Sequence, residues 1–82
     1  MARIIDGNEM NMVGDRVREL RLARNMSQQT LSNKLEMLAI YICRGSISRI
    51  EDKQRTVTDI ELCGLAQVLN VSIAELFDDY AK

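Results

Sequence analysis

VRELRLARNMSQQTL occupies residues 17–31 and sets where the first helix ends and where the second begins. Apolar residues recur every three or four positions before Asn25, which is the spacing of one face of a helix. Asn25 tolerates the left-handed backbone conformation that commonly follows the last helical residue. Ser27 then stands where a hydroxyl caps the start of a new helix. The pattern predicts a first helix over residues 12–24 and a second one that begins behind Ser27.

A third helix is predicted from the residues around Cys43. With Cys43 as the N-cap, Ile42 and Ile47 have the spacing of a hydrophobic staple, which fixes the direction in which a chain enters a helix. The segment Glu36–Ile42 before it fits two descriptions, because the second helix can continue through it or loosen into a long turn. Its apolar residues 37–41 then either pad the core or form a protruding bulge.

Two capping boxes predict the last two helices. In each box a Ser or Thr hydroxyl and a Glu carboxylate three residues later satisfy free backbone N–H groups of the first turn. The two pairs are Thr58 with Glu61 and Ser72 with Glu75. In the fifth helix we expect Ile73, Leu76 and Phe77 to face inward. No stretch alternates like a strand, so we expect an all-α protein with an arm over residues 1–10 and one five-helix domain over residues 11–80.

The composition excludes several classes of protein. The 82 residues include no His, so neither an imidazole base nor a His-ligated metal site can be built. The longest apolar run, residues 37–43, is far shorter than the ~20 residues that span a membrane, and the first residues lack the layout of a signal peptide. Cys43 and Cys63 have no CxxC spacing, which is typical of reduced thiols. We expect a cytoplasmic protein that is not an enzyme, with no metal, no cofactor, no small-molecule substrate and no membrane contact.

Charge is distributed unevenly along the chain, although the net charge is only −1. Residues 16–55 contain nine Lys or Arg against four Asp or Glu, whereas residues 56–82 contain five Asp or Glu against one Lys. A basic block within a small domain favours a surface that faces a polyanion. The alternative is a solvated surface whose charge is merely uneven.

Three stretches of the chain form an ordered set of motifs. They are residues 17–31, the segment GSISRIE over residues 45–51 and the segment LAQVLNVSIAELF over residues 65–77. In this order they resemble the lambda-repressor-like (Cro/Xre-type) helix-turn-helix family, across about residues 13–77. The resemblance implies a compact five-helix domain whose third helix lies in the major groove of double-stranded DNA. The chain departs from the family at Glu36, where the usual short turn starts with Gly, so we expect an extended connection between helices 2 and 3.

The resemblance also assigns roles to individual residues. Gln28 would hold a DNA phosphate at the amino-terminal end of the second helix, where free N–H groups favour an anion. Arg21 and Glu51 match a pair that ties the first helix to the end of the third, and we expect a partly buried structural ion pair. The other DNA-binding residues are expected on the outward edge of the third helix and in the loop beyond it: Cys43, Arg44, Gly45, Ser46, Ser48, Arg49, Lys53, Gln54 and Arg55. The spacing agrees, since Ile47 and Ile50 point inward.

The leading hypothesis is a sequence-specific DNA-binding transcriptional regulator, and most simply a repressor. It would act as a homodimer on two half-sites about one DNA turn apart. Without a second domain to sense a ligand, it would be a minimal repressor, a phage-type switch protein or the antitoxin of a toxin–antitoxin pair. The candidate dimer residues are apolar positions at the edges of the domain: Ile4, Ile5, Val71, Ile73, Phe77, Tyr80 and the segment 37–41.

Other interpretations stay open at this point. The acidic isoelectric point and the long turn favour a protein-interaction module or antitoxin of the same fold, with little DNA binding of its own. The arginines of the first helix can form a solvated face, and Arg49 can pair with Glu51 or Asp52 rather than contact a base. Binding to DNA that falls steeply with salt would separate a regulator from an interaction module.

Overall fold

The computed structural model describes residues 8–77, which form five α-helices and no strand. The helices are α1 (Gly14–Ala23), α2 (Gln28–Glu36), α3 (Arg44–Glu51), α4 (Asp59–Leu69) and α5 (Ile73–Leu76). The predicted all-α architecture, with five helices in this order, is confirmed. Arm residues 1–7 and the candidate dimer residues Ile4, Ile5 and Tyr80 lie outside the described residues.

The helix ends lie at residues whose chemistry supplies the missing backbone bonds. Ser27 Oγ accepts the backbone N–H of Thr30 at 3.0 Å and so starts α2. Asn25 and Asn70 follow α1 and α4 in the left-handed conformation, with φ of 56° and 58°. Because each Asn ends one helix just before a cap begins the next, the connections from α1 to α2 and from α4 to α5 are short.

The two predicted capping boxes differ in the structure. At the start of α4, the side chains of Thr58 and Glu61 each accept the other residue's backbone N–H, so this box is complete. At the start of α5, Ser72 Oγ accepts the N–H of Glu75 at 3.2 Å. No hydrogen bond from the Ser72 backbone N–H to the Glu75 carboxylate is present among the described residues, so only half of the second box is formed.

The core lies between the first four helices. α3 packs against both α1 and α2, and α4 packs against α1, α2 and α5. The side chains without exposed surface come from all four helices: Val17, Leu31, Leu35, Ile47, Ile50, Leu65 and Leu69. Ile73 is 42% exposed, so the prediction that it faces inward is wrong. Because α5 has a single turn, its inward side is filled by Leu76 and the half-buried Phe77.

The connection between α2 and α3 is extended, and it combines the two descriptions that the sequence allowed. After α2 the chain makes a turn over residues 37–39. Ile40 and Ile42 then pack into the core, whereas Met37 and Tyr41 are exposed. The segment therefore pads the core with some of its residues and presents the others to solvent.

The start of α1 lies close to the end of α3. A Cβ at Gly14 would overlap the carbonyl oxygen of Ile50 and crowd that of Glu51, and both are backbone atoms. Glycine is therefore required at this position by the close approach of two helices. The approach covers one side of α3 and leaves its opposite edge at the surface.

Candidate functional site

The carboxylate of Glu51 joins three helices at the carboxyl end of α3. The residue is buried, with 1% of its surface exposed. Arg21 of α1 donates Nε to Oε2 at 2.7 Å and Nη2 to Oε1 at 3.1 Å, and Gln28 of α2 donates Nε2 to Oε1 at 3.1 Å. The ion pair expected between Arg21 and Glu51 is therefore present, and it orients α3 relative to both earlier helices.

The partners of Glu51 keep its carboxylate ionised. Burial would raise the pKa of Glu51, but hydrogen bonds from Arg21, Gln28 and Arg18 outweigh burial and hold this pKa below its ordinary value. Arg18 also donates to Asp52 Oδ1 at 2.6 Å, and its bonds to Asp52 and Glu51 raise the pKa of its guanidinium. Both acidic residues at the end of α3 therefore face cations of α1.

Gln28 lies at the amino-terminal end of α2, as predicted, but its side-chain amide is already engaged. The side chain is half-buried, and one of its two N–H groups is used by Glu51. A phosphate at this end of α2 would meet the second amide N–H and the free backbone N–H groups of the first turn. Gln28 thus links the buried ion pair to the surface where a phosphate is expected.

One edge of α3 is exposed along its length. Its residues are the exposed Arg44, Gly45 and Arg49 and the half-buried Ser46 and Ser48. Ile47 and Ile50, on the opposite face of the helix, are fully buried. The structure therefore brings the predicted residues of the third helix together on a single edge, here called the α3 edge.

The two arginines of the α3 edge have no acidic partner among the described residues. Arg49 Nη2 lies 3.3 Å from Ser46 Oγ, and the carboxylates of Glu51 and Asp52 are held by arginines of α1. The alternative in which Arg49 pairs with Glu51 or Asp52 is therefore not what the structure contains. Both guanidinium groups are available to a partner outside the chain.

Cys43 is the N-cap of α3, as predicted, and its thiol is exposed. Its Sγ donates to Ser46 Oγ at 3.4 Å. When the thiol is ionised, the Ser46 hydroxyl and the Ser46 backbone N–H donate to the thiolate, and this lowers the pKa of Cys43. The thiol therefore lies next to Arg44 at the end of α3 where the helix dipole favours negative charge.

The loop beyond α3 directs its lysine toward the domain. Lys53 Nζ lies 2.8 Å from Asp15 Oδ2 and 3.2 Å from Glu9 Oε1. The bond to Asp15 is the main reason why the pKa of Lys53 is raised. Gln54 beside it is exposed. Lys53 and Gln54 were both predicted to contact phosphates. The described structure pairs Lys53 with two carboxylates, whereas Gln54 is not bonded to a described carboxylate.

Arg55, the third predicted phosphate contact of this loop, is also paired within the chain. Its Nη1 and Nη2 donate to Oε1 and Oε2 of Glu61 at 2.9 and 2.7 Å, a bidentate arrangement. The bonds to Glu61 raise the pKa of Arg55, and the same bonds lower the pKa of Glu61. The charge of Arg55 is thereby balanced inside the domain, which reduces its attraction for a phosphate.

Asn11 is a positioning residue that the sequence motifs did not reveal. It is buried, and its Oδ1 accepts the N–H groups of Val13 and Gly14 at 3.1 and 2.9 Å. Its Nδ2 donates to the carbonyls of Ile50 and Arg55 at 3.0 and 2.8 Å. The side chain of Asn11 therefore caps the start of α1 and also bonds the backbone at the carboxyl end of α3 and in the loop beyond it. An Asn just before a helix is a capping signal, but the distant bonds leave no local pattern in the sequence.

Two further findings concern residues 8–77. No helix in this part of the chain is long and apolar enough to cross a membrane. No group of three or more His, Cys, Asp or Glu side chains in the same residues is arranged to hold a metal ion. The exposed part of the candidate site consists of charged and polar side chains of the α3 edge and of the loop beyond it.

Comparison with known proteins identifies the class. The chain matches the model of the helix-turn-helix family over residues 17–76, and it belongs to this family. The resemblance to the lambda-repressor-like (Cro/Xre-type) family is thereby confirmed. The family is one of DNA-binding transcriptional regulators and not a family of enzymes.

A particular solved structure is similar. It is the restriction-modification controller protein C.AhdI from Aeromonas hydrophila, which is 34% identical in sequence, with a TM-score of 0.70. The match covers 79% of this chain and 87% of that chain. No curated protein matches the chain.

The depressed pKa of Glu51 predicts how stability depends on pH. Its contribution to the free energy of unfolding is present above its unfolded-state pKa, near 4.5, and is lost as pH falls through the lower, folded-state pKa. The free energy of unfolding of the wild type, measured by urea denaturation, should therefore fall more between about pH 6 and pH 3 than that of Glu51→Gln. Glu61 titrates in the same direction in both proteins, so the difference between them isolates Glu51. Parallel pH profiles would contradict the prediction.

Arg21→Ala should destabilise the fold, because it removes the main partner of a buried carboxylate. Breaking a buried ion pair costs about 3–5 kcal/mol, and we expect the lower end of that range because Arg18 and Gln28 still bond Glu51. Chemical denaturation measures the change. Arg24→Ala, in the residue after α1, is the control, because none of the described carboxylates pairs with Arg24, and its effect should stay within about 0.5 kcal/mol. Equal effects of the two variants would rule out the structural role.

Proposed function

We propose that this protein is a sequence-specific DNA-binding regulator that inserts α3 into the major groove. The observation that carries the proposal is the α3 edge, which presents Arg44 and Arg49 without acidic partners among the described residues. In helix-turn-helix proteins the second helix of the motif lies in the major groove, with its amino-terminal residues at the base edges. An arginine donates bidentately to O6 and N7 of guanine, so these two side chains are suited to read sequence.

Gly45 supports a close approach between the α3 edge and a duplex. A Cβ at this position would meet no atom within 4 Å, and the backbone there is helical. Glycine disfavours a helix by about 0.5–1 kcal/mol relative to alanine. Nothing within the described chain explains why a residue that lowers helix stability stands here. Close contact between the helix and a DNA groove would explain it, because glycine has no side chain to obstruct that contact.

Neutral groups surround the two arginines and would complete the contact with DNA. We assign Ser46 and Ser48 to base edges or sugars, and Cys43 and Gln28 to the phosphate side of the groove, where helix termini favour an anion. Gln54 would reach a phosphate beyond α3. Lys53 and Arg55 would contribute only by exchanging their carboxylate partners for phosphates, so we expect them to be secondary contacts.

The protein would act as a homodimer that represses transcription by occupying its site. Half-sites about 34 Å apart match two α3 helices related by a two-fold axis. Of the dimer residues expected from the sequence, those that the structure describes are the exposed Ile73, the half-buried Val71 and Phe77, and the segment 37–41. The similar solved structure is that of a controller protein of a restriction-modification system, which supports gene regulation as the activity.

Arg44→Ala and Arg49→Ala should each abolish most specific DNA binding while leaving the fold intact. Loss of one bidentate base contact costs about 1–3 kcal/mol of discrimination. Fluorescence anisotropy with DNA upstream of the protein's own gene, over a salt series, measures the affinity, and thermal unfolding verifies the fold. Lys34→Ala is the control, because this lysine lies in a different surface cavity, beside Met37 and Gln67.

The salt series also decides between regulator and interaction module. For the wild type, the logarithm of the binding constant should fall linearly with the logarithm of salt, with a slope of about −0.9 per phosphate contacted. A folded wild-type protein that binds no DNA, or binds it independently of salt, would favour the protein-interaction module.

Gly45→Ala should raise stability and lower DNA affinity at the same time. Alanine favours the helix by about 0.5–1 kcal/mol, so the unfolding temperature should rise, while the added methyl group obstructs the groove. Thermal unfolding and anisotropy on the same samples measure both effects. Gly14→Ala is the contrasting control and should lower the unfolding temperature, because its Cβ would overlap backbone atoms. Unchanged operator affinity in Gly45→Ala would contradict the close approach.

A further inference from the structure

An open cleft of about 450 Å³ lies beside the amino-terminal end of α3. Its walls come from α2, from the connection after it and from the first turn of α3, and they include Gln29, Tyr41 and Arg44. Tyr41 is a large aromatic residue that is nevertheless 77% exposed. Within the segment 37–41, a candidate dimer surface from the sequence, Tyr41 is the residue that borders the same cleft as an arginine of the α3 edge.

The outward position of Tyr41 is imposed by its neighbours in the chain. Ile40 packs against the core near Gly64, and Ile42 is buried. The carbonyl of Ile42 also accepts a hydrogen bond of 2.6 Å from the buried hydroxyl of Ser32. With both neighbours packed inward, Tyr41 is left as the exposed residue between them. Its position at the surface is therefore set by packing within the domain.

The other large exposed side chains of the connection lie elsewhere. Met37 is 85% and Leu38 is 37% exposed, and both line a separate cavity with Lys34 and Gln67. Of these three large exposed side chains, Tyr41 is the one that borders the cleft with Arg44.

We infer that Tyr41 is a further DNA-contacting residue, which lies against the duplex beside the start of α3 and donates a hydrogen bond from its phenolic hydroxyl to the DNA backbone. The inference rests on the proposed function. Tyrosine hydroxyls are among the groups that bond phosphate oxygens in protein–DNA complexes, and a ring with two side-chain torsions is ordered at low entropic cost. Glu36 also lines the cleft, and its carboxylate repels a phosphate. A phosphate is therefore expected at the part of the cleft that is lined by the hydrogen-bond donors Tyr41 and Arg44.

The contact would have a distinct salt signature. A neutral hydroxyl adds affinity without displacing a counterion from DNA, whereas an arginine on a phosphate displaces one. Loss of the Tyr41 hydroxyl should therefore weaken binding equally at low and high salt. The slope of affinity against salt should stay that of the wild type.

The test is a set of anisotropy titrations of Tyr41→Phe, Tyr41→Ala and Ile60→Ala against the operator and against a single half-site. We expect Tyr41→Phe to raise the dissociation constant about three- to tenfold, as for one lost hydrogen bond, and Tyr41→Ala to raise it at least as much. Ile60→Ala is the matched control, because this side chain is 66% exposed and lines a different cavity, and its affinity should stay within about twofold of the wild type. Thermal unfolding verifies that each variant is folded.

Each other outcome has a defined meaning. If Tyr41→Phe binds DNA with the affinity of the wild type, the proposed hydrogen bond is overturned. If Tyr41→Ala does so, the proposed contact between Tyr41 and DNA is overturned. If Tyr41→Ala weakens self-association in sedimentation but leaves half-site affinity unchanged, the side chain is a contact between two copies and the DNA contact is overturned. Failure of the wild type itself to bind DNA overturns the proposed function, and is thereby distinguishable from failure of this inference alone.

Discussion

The buried carboxylate of Glu51 orients the helix on which the candidate site depends. Removing a charge from water is unfavourable, and a buried ion pair seldom adds much net stability. Here the two bonds from Arg21 and the amide of Gln28 satisfy the carboxylate from two other helices. Such a cluster is satisfied in one relative arrangement of α1, α2 and α3, because a shift of any helix would leave a charge without its partner. The direction of the α3 edge follows from that arrangement.

Internal pairing sorts the cations of the basic block into two groups. Arg16 bonds the Glu19 carboxylate and the Glu75 carbonyl, and Arg18, Arg21, Lys53 and Arg55 pair with carboxylates from other parts of the chain. Arg24, Lys34, Arg44 and Arg49 have no carboxylate partner among residues 8–77, and Arg44 and Arg49 lie together on the α3 edge. A chain with a net charge of −1 can therefore still present positive charge on a chosen surface. The net charge of the chain does not indicate which of its cations are exposed without a carboxylate partner.

Local signals in the sequence were sufficient for most of the fold. Ser27, Thr58 and Asn70 act within one helical turn, so their effect on the chain can be inferred from a few adjacent residues. Interactions between distant residues could not be inferred in this way. The pairing of Arg55 with Glu61 and the bonds of Asn11 depend on how loops lie after folding, and the outward position of Ile73 depends on the shortness of α5. The pairing of Arg21 with Glu51 came from the family resemblance, since 30 positions separate them.

Asn11 couples the segment before α1 to the far end of α3. Its amide bonds two carbonyls there, the backbone N–H of Met10 donates to the carbonyl of Lys53 at 2.9 Å, and Glu9 pairs with the Lys53 side chain. These links fasten residues 9–11 to the last turn of α3 and to the loop beyond it. Any shortening of the chain from its amino-terminal side should therefore stop before Glu9, because removal of residues 9–11 would release the end of α3 that carries Glu51.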